Sequence, residues 1–148
     1  MIYFIKFETS MNFYKSRIII FIGFLGLIII LYGVLVSSIA YVGSEGEKYS
    51  ILNHFISELG QYKYSKKAIV FNNSLIIGTP FLIYYYIKIV PKTLRGVEIL
   101  FKWIIITIGI STISVGIFTM DNIVFHLVSA LLFFIFVFLL LYFLIFSY

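Results

Sequence analysis

The sequence predicts an all-α fold: a polytopic transmembrane bundle of four helices, with a short interfacial helix in the first outer loop. Hydrophobic residues make up 62% of the 148-residue chain and charged residues only 11%, and the mean hydropathy is +1.11. Soluble domains carry about 25% charged residues, so the composition excludes that class. The chain also contains four apolar runs close to the length of about 20 residues that a transmembrane helix needs.

The composition also excludes several kinds of site. The chain has no cysteine, which rules out disulfides, thiolate metal sites and a cysteine nucleophile. The 11 lysines and arginines contribute to a formal net charge of +5, but they lie in short clusters between the apolar runs, as juxtamembrane cations do. We expect no nucleic-acid partner, because such binding requires a contiguous basic face. The expected partner is the lipid bilayer.

The first apolar run covers residues 18–42 and follows a polar N-terminal segment, residues 1–17. A cleaved signal peptide would have an apolar core of roughly 7 to 15 residues, so we favour an uncleaved span. The second run, residues 68–90, contains only Lys88 as a charged residue and stops before Pro91. Proline lacks the backbone N–H that a helix needs to continue its hydrogen bonds.

The third and fourth runs cover residues 103–120 and 123–147 and are separated by Asp121 and Asn122. The third run is the shortest, at the low end of the spanning range, so neighbouring helices or a thinner bilayer must accommodate it. No segment shows the alternation of about ten residues that is typical of a membrane β-barrel. We therefore expect residues 18–148 to form a single membrane domain.

The distribution of lysine and arginine predicts the orientation in the membrane. The N-terminal segment and the second loop with its flanks carry seven of these cations, and the first loop carries four. The positive-inside rule places the more basic side in the cytoplasm. We therefore expect a multi-pass protein of the cell membrane with a cytoplasmic N-terminus and an outward-facing first loop. The seven cations are Lys6, Lys15, Arg17, Lys88, Lys92, Arg95 and Lys102.

Small residues recur on one face of each of the first three spans. Helices in a bilayer associate through close van der Waals contact, which small side chains permit. We therefore expect these faces to pack against other helices rather than to bind a ligand. The residues are Gly23, Gly26, Gly33 and Ser37 in the first span, Ser74 and Gly78 in the second, and Gly109, Thr112 and Gly116 in the third.

The first loop contains an amphipathic pattern. A helix from Ser50 to Leu59 would separate apolar from polar side chains and would end at Gly60. Such a helix is expected to lie in the membrane interface. His54 and Glu58 would be neighbours on its polar face, as an ion pair or as two metal ligands. We favour a solvated pair without a metal or other cofactor, and the alternative metal ligands are His54, Glu58 and His126.

Polar side chains from three stretches of sequence are expected at the outer end of the bundle. Burying an amide beside lipid is costly, so at least one of Asn72 and Asn73 should face the bundle and find a hydrogen-bond partner. Asp121 and Asn122 are both placed where a side chain can cap the fourth helix by accepting a hydrogen bond from its free N–H groups. An ionisable residue, His126, follows about one turn inside that span. The candidate ligand-binding residues are His54, Ser57, Glu58, Asn72, Asn73, Asp121 and His126.

Three roles fit this polar layer. It forms a structural clasp that ties the interfacial helix to the bundle, a site for a lipid headgroup or small ligand, or a catalytic site with His126 as base or metal ligand and Glu58 as its partner. The catalytic role would make the protein a membrane-embedded hydrolase or transferase acting on lipids of the outer leaflet. We favour the first two roles, because no nucleophile-and-base constellation accompanies the layer. A transporter or channel would need polar residues at mid-bilayer, where only Ser and Thr occur.

Several short motifs occur in the order typical of one prokaryotic membrane family. They are Ile56-Ser57-Glu58-Leu59-Gly60 in the first loop, Phe71-Asn72 and Gly78 in the second span, Gly116-Ile117-Phe118 before the last turn, and His126 with Ala130 after it. From about Arg17 onward, the chain resembles the family catalogued as domain of unknown function 998. The resemblance implies that Glu58, Asn72 and His126 are the positions of interest, and it implies no particular activity.

The sequence departs from that family's pattern in two ways. The family usually has a proline after the Gly-x-Phe motif, where this chain has Thr119. Family members also typically continue for about two more spans, whereas this sequence stops at Tyr148. We therefore expect either a shortened or split version of a longer protein, or a bundle that a second copy or another membrane subunit completes.

Overall fold

The computed structural model describes residues 2–89 and 97–146, with the side chains of residues 14–89 and 97–145. Its four helices are α1 (Ile2–Ile39), α2 (Ala68–Ile89), α3 (Glu98–Ile117) and α4 (Ile123–Phe146). Each contains a segment long and apolar enough to cross a membrane, and the described residues form no strand. The predicted all-α fold with four spans is confirmed. The predicted end of the second span at residue 90, and the cations Lys92 and Arg95, lie outside the described residues.

The boundaries of two helices differ from the predicted spans. α1 begins at Ile2, so the N-terminal segment continues directly into the span. It ends at Ile39 rather than at residue 42, because the Val42 N–H donates to a carbonyl of the following loop. α3 begins at Glu98, where an ion pair of 2.5 Å with Lys102 one turn later supports its first turn. The third helix therefore has 20 residues, which at about 1.5 Å per residue corresponds to about 30 Å.

Glycines allow α1 and α2 to pack closely. A Cβ atom at Gly26 would lie 2.7 Å from the carbonyl oxygen of Gly78, and one at Gly78 would lie 2.8 Å from that of Gly26. Farther along the same contact, Gly33 lies against the side chain of Ser74. A larger side chain at these positions would push the two backbones apart. The predicted small-residue faces of these helices are therefore confirmed as packing faces.

The remaining helices pack in chain order, α2 on α3 and α3 on α4. A Cβ atom at Gly116 would lie 2.9 Å from the carbonyl oxygen of Asn72, and the rings of Phe101 and Phe143 join α3 to α4 at a centroid distance of 5.8 Å. α1 and α4 make no extensive contact in the described part of the chain. The bundle is therefore open between its first and last helices.

The loop after α1 and the turn after α3 lie at one end of the bundle, which we call the capped end (residues 40–67 and 118–122). An isolated antiparallel bridge between Tyr41 and Ser65 closes the base of the loop. Beneath it, Leu59 is fully buried in a small core with Tyr41 and Phe71. This core seats the loop on the ends of α1 and α2.

The loop contains a short helix, but the predicted α-helix from Ser50 to Leu59 is wrong. Residues 51–54 form a turn and a bend, and a 3-10 helix follows at Ile56–Gly60. Two local hydrogen bonds explain the interruption. The Ser50 N–H donates to His54 Nδ1 at 3.1 Å, and the Phe55 N–H donates to Glu58 Oε1 at 2.9 Å. Side chains that satisfy nearby backbone groups in this way compete with a regular helix.

Candidate functional site

Glu58 holds the 3-10 helix against Tyr41, at the start of the loop just after α1. Its Oε2 accepts a 2.7 Å hydrogen bond from the Tyr41 hydroxyl, while its Oε1 accepts the Phe55 N–H. Tyr41 is buried, and this burial, together with the adjacent carboxylate, raises the pKa of its hydroxyl above the usual value. Both carboxylate oxygens of Glu58 are therefore engaged in structural contacts.

His54 pairs with Glu47 rather than with Glu58. Its Nε2 lies 3.5 Å from Glu47 Oε1, and its ring stacks on Tyr49 at a centroid distance of 5.8 Å. The predicted His54–Glu58 pair required an α-helix through both residues, and the loop does not form that helix. The pKa of the Glu47 carboxyl is lowered by backbone N–H donors of Glu47 and Glu45 and by His54, whereas burial raises the pKa of Tyr49.

Asn72 joins α2 to the loop, and Asn73 is exposed. The Asn72 side chain is 3% exposed, and its Nδ2 donates to the carbonyl oxygen of Gly60 at 2.9 Å. A side chain at Gly60 would collide with Asn72, so the glycine lets the loop approach α2 closely. The prediction that at least one of the two amides faces the bundle and finds a partner is confirmed.

Asp121 ties the turn between α3 and α4 to the loop. Its Oδ2 accepts the Tyr62 N–H at 3.1 Å and the Thr119 hydroxyl at 2.9 Å. The predicted cap is wrong: among the described residues, neither Asp121 nor Asn122 bonds an N–H of α4 through its side chain. The carboxylate is already engaged by the loop, and the His126 N–H donates to the backbone carbonyl of Asn122 instead.

His126 lies in the first turns of α4, and its side chain is 4% exposed. Its Nδ1 lies 2.8 Å from the carbonyl oxygen of Phe118. A carbonyl oxygen only accepts hydrogen bonds, so Nδ1 carries the proton and Nε2 of the neutral ring is an acceptor. No described residue forms a hydrogen bond with Nε2. His126 therefore has one ring nitrogen engaged by the fold and one that is free for a ligand.

A cavity of about 240 Å³ opens beside His126, between α1 and α4. Its polar side chains are His126, Ser57 and Thr112, and none of its lining residues is charged. The Thr112 hydroxyl bonds a carbonyl of its own helix, and Ser57 Oγ donates to Met120 Sδ at 3.3 Å, a weak acceptor. The apolar wall includes Ile30, Val34, Phe71, Leu75, Ala130 and Phe133, and Phe55 and Ile56 line the cavity from the loop.

A second cavity, of about 410 Å³, continues the first toward the other end of the bundle. The two share Ile30, Leu75, Thr112 and Phe133, so they adjoin along the bundle, and we call the two cavities together the groove. From His126 to Leu140 the groove follows α4 for about 21 Å, at about 1.5 Å per helical residue. Its wall includes Thr79, whose hydroxyl is the buried side-chain polar atom without a hydrogen bond in the described part of the chain.

Comparison with known protein families finds one family that covers most of the chain. The family of proteins of unknown function DUF998 matches residues 21–147. The chain belongs to the DUF998 family. No curated protein and no solved structure matches it.

In this DUF998 protein, Glu58 lies in the capped end, and Asn72 and His126 lie in the first turns of the helices that begin there. Glu58 and Asn72 hold the loop, whereas His126 lines the groove. No hydrogen bond or ion pair joins Glu58 to His126 within residues 14–89 and 97–145, so the catalytic pair considered from the sequence is not assembled there. The same residues contain no group of three His, Cys, Asp or Glu side chains suited to a metal ion. Of the predicted ligand-binding residues, Ser57 and His126 line the groove.

Proposed function

We propose that this DUF998 protein is a non-enzymatic integral membrane protein that binds a lipid. The groove takes an acyl chain, and Ser57 and His126, at the end of the groove beside the loop, take the headgroup. Glu58, Asn72 and Asp121 form a structural clasp that holds the loop over that end. The clasp and the headgroup site are thus two neighbouring sets of residues with different tasks.

The observation that carries this proposal is a buried histidine at the end of an apolar groove. His126 is 4% exposed, yet its Nε2 has no hydrogen-bond partner among the described residues. Among the described residues, Nε2 is not one of the side-chain atoms that are both inaccessible and unbonded, so it borders open space, and His126 lines the first cavity. A ligand in that cavity therefore finds a ring nitrogen with which to form a hydrogen bond. Ligand sites are typically apolar with a few placed polar groups, which is the arrangement of Ser57 and His126.

The dimensions of the groove suit one acyl chain. The two cavities, of about 240 and 410 Å³, together fall within the range of ligand pockets, roughly 300–1,000 Å³. The length of about 21 Å exceeds half of a hydrocarbon core of about 30 Å, so a chain from one leaflet fits along it. The opening between α1 and α4 supplies a lateral route of entry from the bilayer.

The clasp acts on the part of the loop that covers the groove. Phe55 and Ile56 line the first cavity, and Glu58 accepts hydrogen bonds from the Phe55 N–H and from the hydroxyl of Tyr41, two residues after α1. The preceding residues Ile51 and Leu52 are 84% and 94% exposed. Apolar side chains with this exposure are suited to insertion into the membrane interface. The loop is thus held from the bundle side by the clasp and from the lipid side by these two residues.

The distribution of cations supports an outward-facing capped end in the cell membrane, with a cytoplasmic N-terminus. In that orientation the groove receives its lipid from the outer leaflet. The exposed Lys63, Lys66 and Lys67 then lie among the outer headgroups.

Native mass spectrometry of the purified protein tests the proposal. We expect the wild type to retain one lipid molecule per chain and Ala130→Trp, which fills the cavity wall, to lose it. The control is Val128→Trp, because Val128 is 54% exposed on the same helix and does not line the groove. Equal lipid retention by all three proteins would refute a site in the groove.

A further inference from the structure

We infer that the ligand of the groove is an uncharged lipid whose headgroup is a hydroxyl. This inference rests on the proposed lipid-binding function and names the class of lipid. Two features of the capped end point to it. The first is the direction of the hydrogen bonds that His126 and Ser57 offer, and the second is the lack of charge in the surrounding wall.

His126 requires a ligand that donates a hydrogen bond. The Phe118 carbonyl oxygen, 2.8 Å from Nδ1, holds the proton on that nitrogen. Nε2 of the neutral ring therefore presents a lone pair. An ester carbonyl or an ether oxygen has no proton to donate to it, whereas an alcohol does.

Ser57 complements His126 by offering a donor. Its hydroxyl proton is directed at Met120 Sδ, 3.3 Å away, and a thioether sulfur is a weak acceptor. An oxygen atom of a ligand is a better acceptor, so the Ser57 hydroxyl gains by turning toward it. The two residues together offer one acceptor and one donor. A hydroxyl group, which both donates and accepts, matches both at once.

The wall of the groove disfavours a charged headgroup. None of the residues lining either cavity is charged, so a phosphate or carboxylate would find no cation there. The charged residues of the clasp, Glu58 and Asp121, are anions. Burying a charge without a partner of opposite sign is far more costly than burying a hydroxyl that is hydrogen-bonded.

Three ligands with the same oleyl chain test this inference: oleyl alcohol, methyl oleate and oleate. Their affinities for the full-length protein are measured by competition in native mass spectrometry, at a pH above the ordinary pKa of a carboxylic acid and of a free imidazole. We expect the alcohol to bind about 3- to 10-fold more tightly than the methyl ester, as one additional hydrogen bond predicts. We expect oleate to bind more weakly than the alcohol.

Two variants test the roles of the named residues. His126→Leu should remove the preference for the alcohol over the ester. Ser57→Ala should weaken the binding of both ligands and keep the preference, because an ester oxygen accepts from Ser57 as a hydroxyl oxygen does. Val128→Ala, on the exposed face of α4, should leave both the binding and the preference unchanged. His126→Leu also loses the hydrogen bond to Phe118, so Ser57→Ala and the ligand series on the wild type decide the matter if that variant does not fold.

The possible outcomes separate this inference from the function on which it rests. Equal affinities for the three ligands would overturn the hydroxyl preference and leave lipid binding in the groove intact. Tightest binding of oleate would overturn it in favour of an anionic headgroup. No binding of any oleyl compound would refute the proposed function itself.

Discussion

Replacing Asn72 with leucine removes a hydrogen bond of the clasp while keeping the side chain close to its original size. The amide is 3% exposed and donates to the Gly60 carbonyl oxygen at 2.9 Å. Gly60 is itself buried, so leucine leaves its carbonyl oxygen without this partner and without access to water. The expected result is a less stable protein in which the loop separates more easily from α2.

The size of the effect follows from the burial of both groups. An unsatisfied buried acceptor costs about 1–3 kcal/mol of unfolding free energy. In a chain of this length, each kcal/mol lowers Tm by about 2–4 °C, so Asn72→Leu should lower Tm by roughly 2–12 °C.

Thermal unfolding in a mild detergent measures this change, with Asn73→Leu as the matched control. Asn73 is the adjacent residue of the same type and is exposed, so its replacement should change the unfolding free energy by no more than about 0.5 kcal/mol. An unchanged Tm for Asn72→Leu, or equal decreases for the two variants, would show that the Asn72 amide does not hold the loop.

Three further predictions concern the capped end and the helix packing. Because the pKa of Tyr41 is raised in the folded protein, its contribution to stability is complete below the unfolded value of about 10 and is lost as the pH rises above it. The Tm of the wild type should therefore fall as the pH rises above about 10, and the Tm of Tyr41→Phe should fall less. Identical dependence of Tm on pH in the two proteins would contradict this prediction. Gly26→Val should prevent stable packing of α1 on α2, since its Cβ would lie 2.7 Å from the Gly78 carbonyl oxygen, whereas Leu27→Val should be tolerated in the same thermal assay. Asp121→Ala should speed hydrogen exchange of the Tyr62 amide, and unchanged protection would count against that contact.

The four spans were predictable because a helix surrounded by lipid needs about 20 consecutive, mostly apolar residues. Runs of this length and composition are visible in the sequence. The packing faces were predictable from the spacing of glycines such as Gly26 and Gly78. The loop was not predictable, because the Ser50 N–H donates to His54 and the Phe55 N–H donates to Glu58, and these local hydrogen bonds compete with an α-helix. The amphipathic pattern shows which residues are apolar, but it does not show which hydrogen bonds form between nearby side chains and the backbone.

The candidate site was predictable only in part. His126 was singled out as an ionisable residue within a span, and the structure places it in the wall of a cavity. The partners of Asn72 and Asp121 were not predictable, because Gly60 and Tyr62 contribute backbone groups that every residue possesses. The groove was not predictable from the sequence, because it is a space between helices that are far apart in the chain.

Photo-crosslinking tests the existence of the lipid site most directly. An oleyl alcohol with a diazirine near the middle of its chain is bound to the protein and activated, and the adducts are mapped by peptide mass spectrometry. We predict adducts on Leu75, Ile105 and Phe133, which line the groove. Adducts confined to Val124, Leu131 and Phe138, which are exposed along α4, would mean that the alcohol contacts only the outside of the bundle and that the groove binds no lipid.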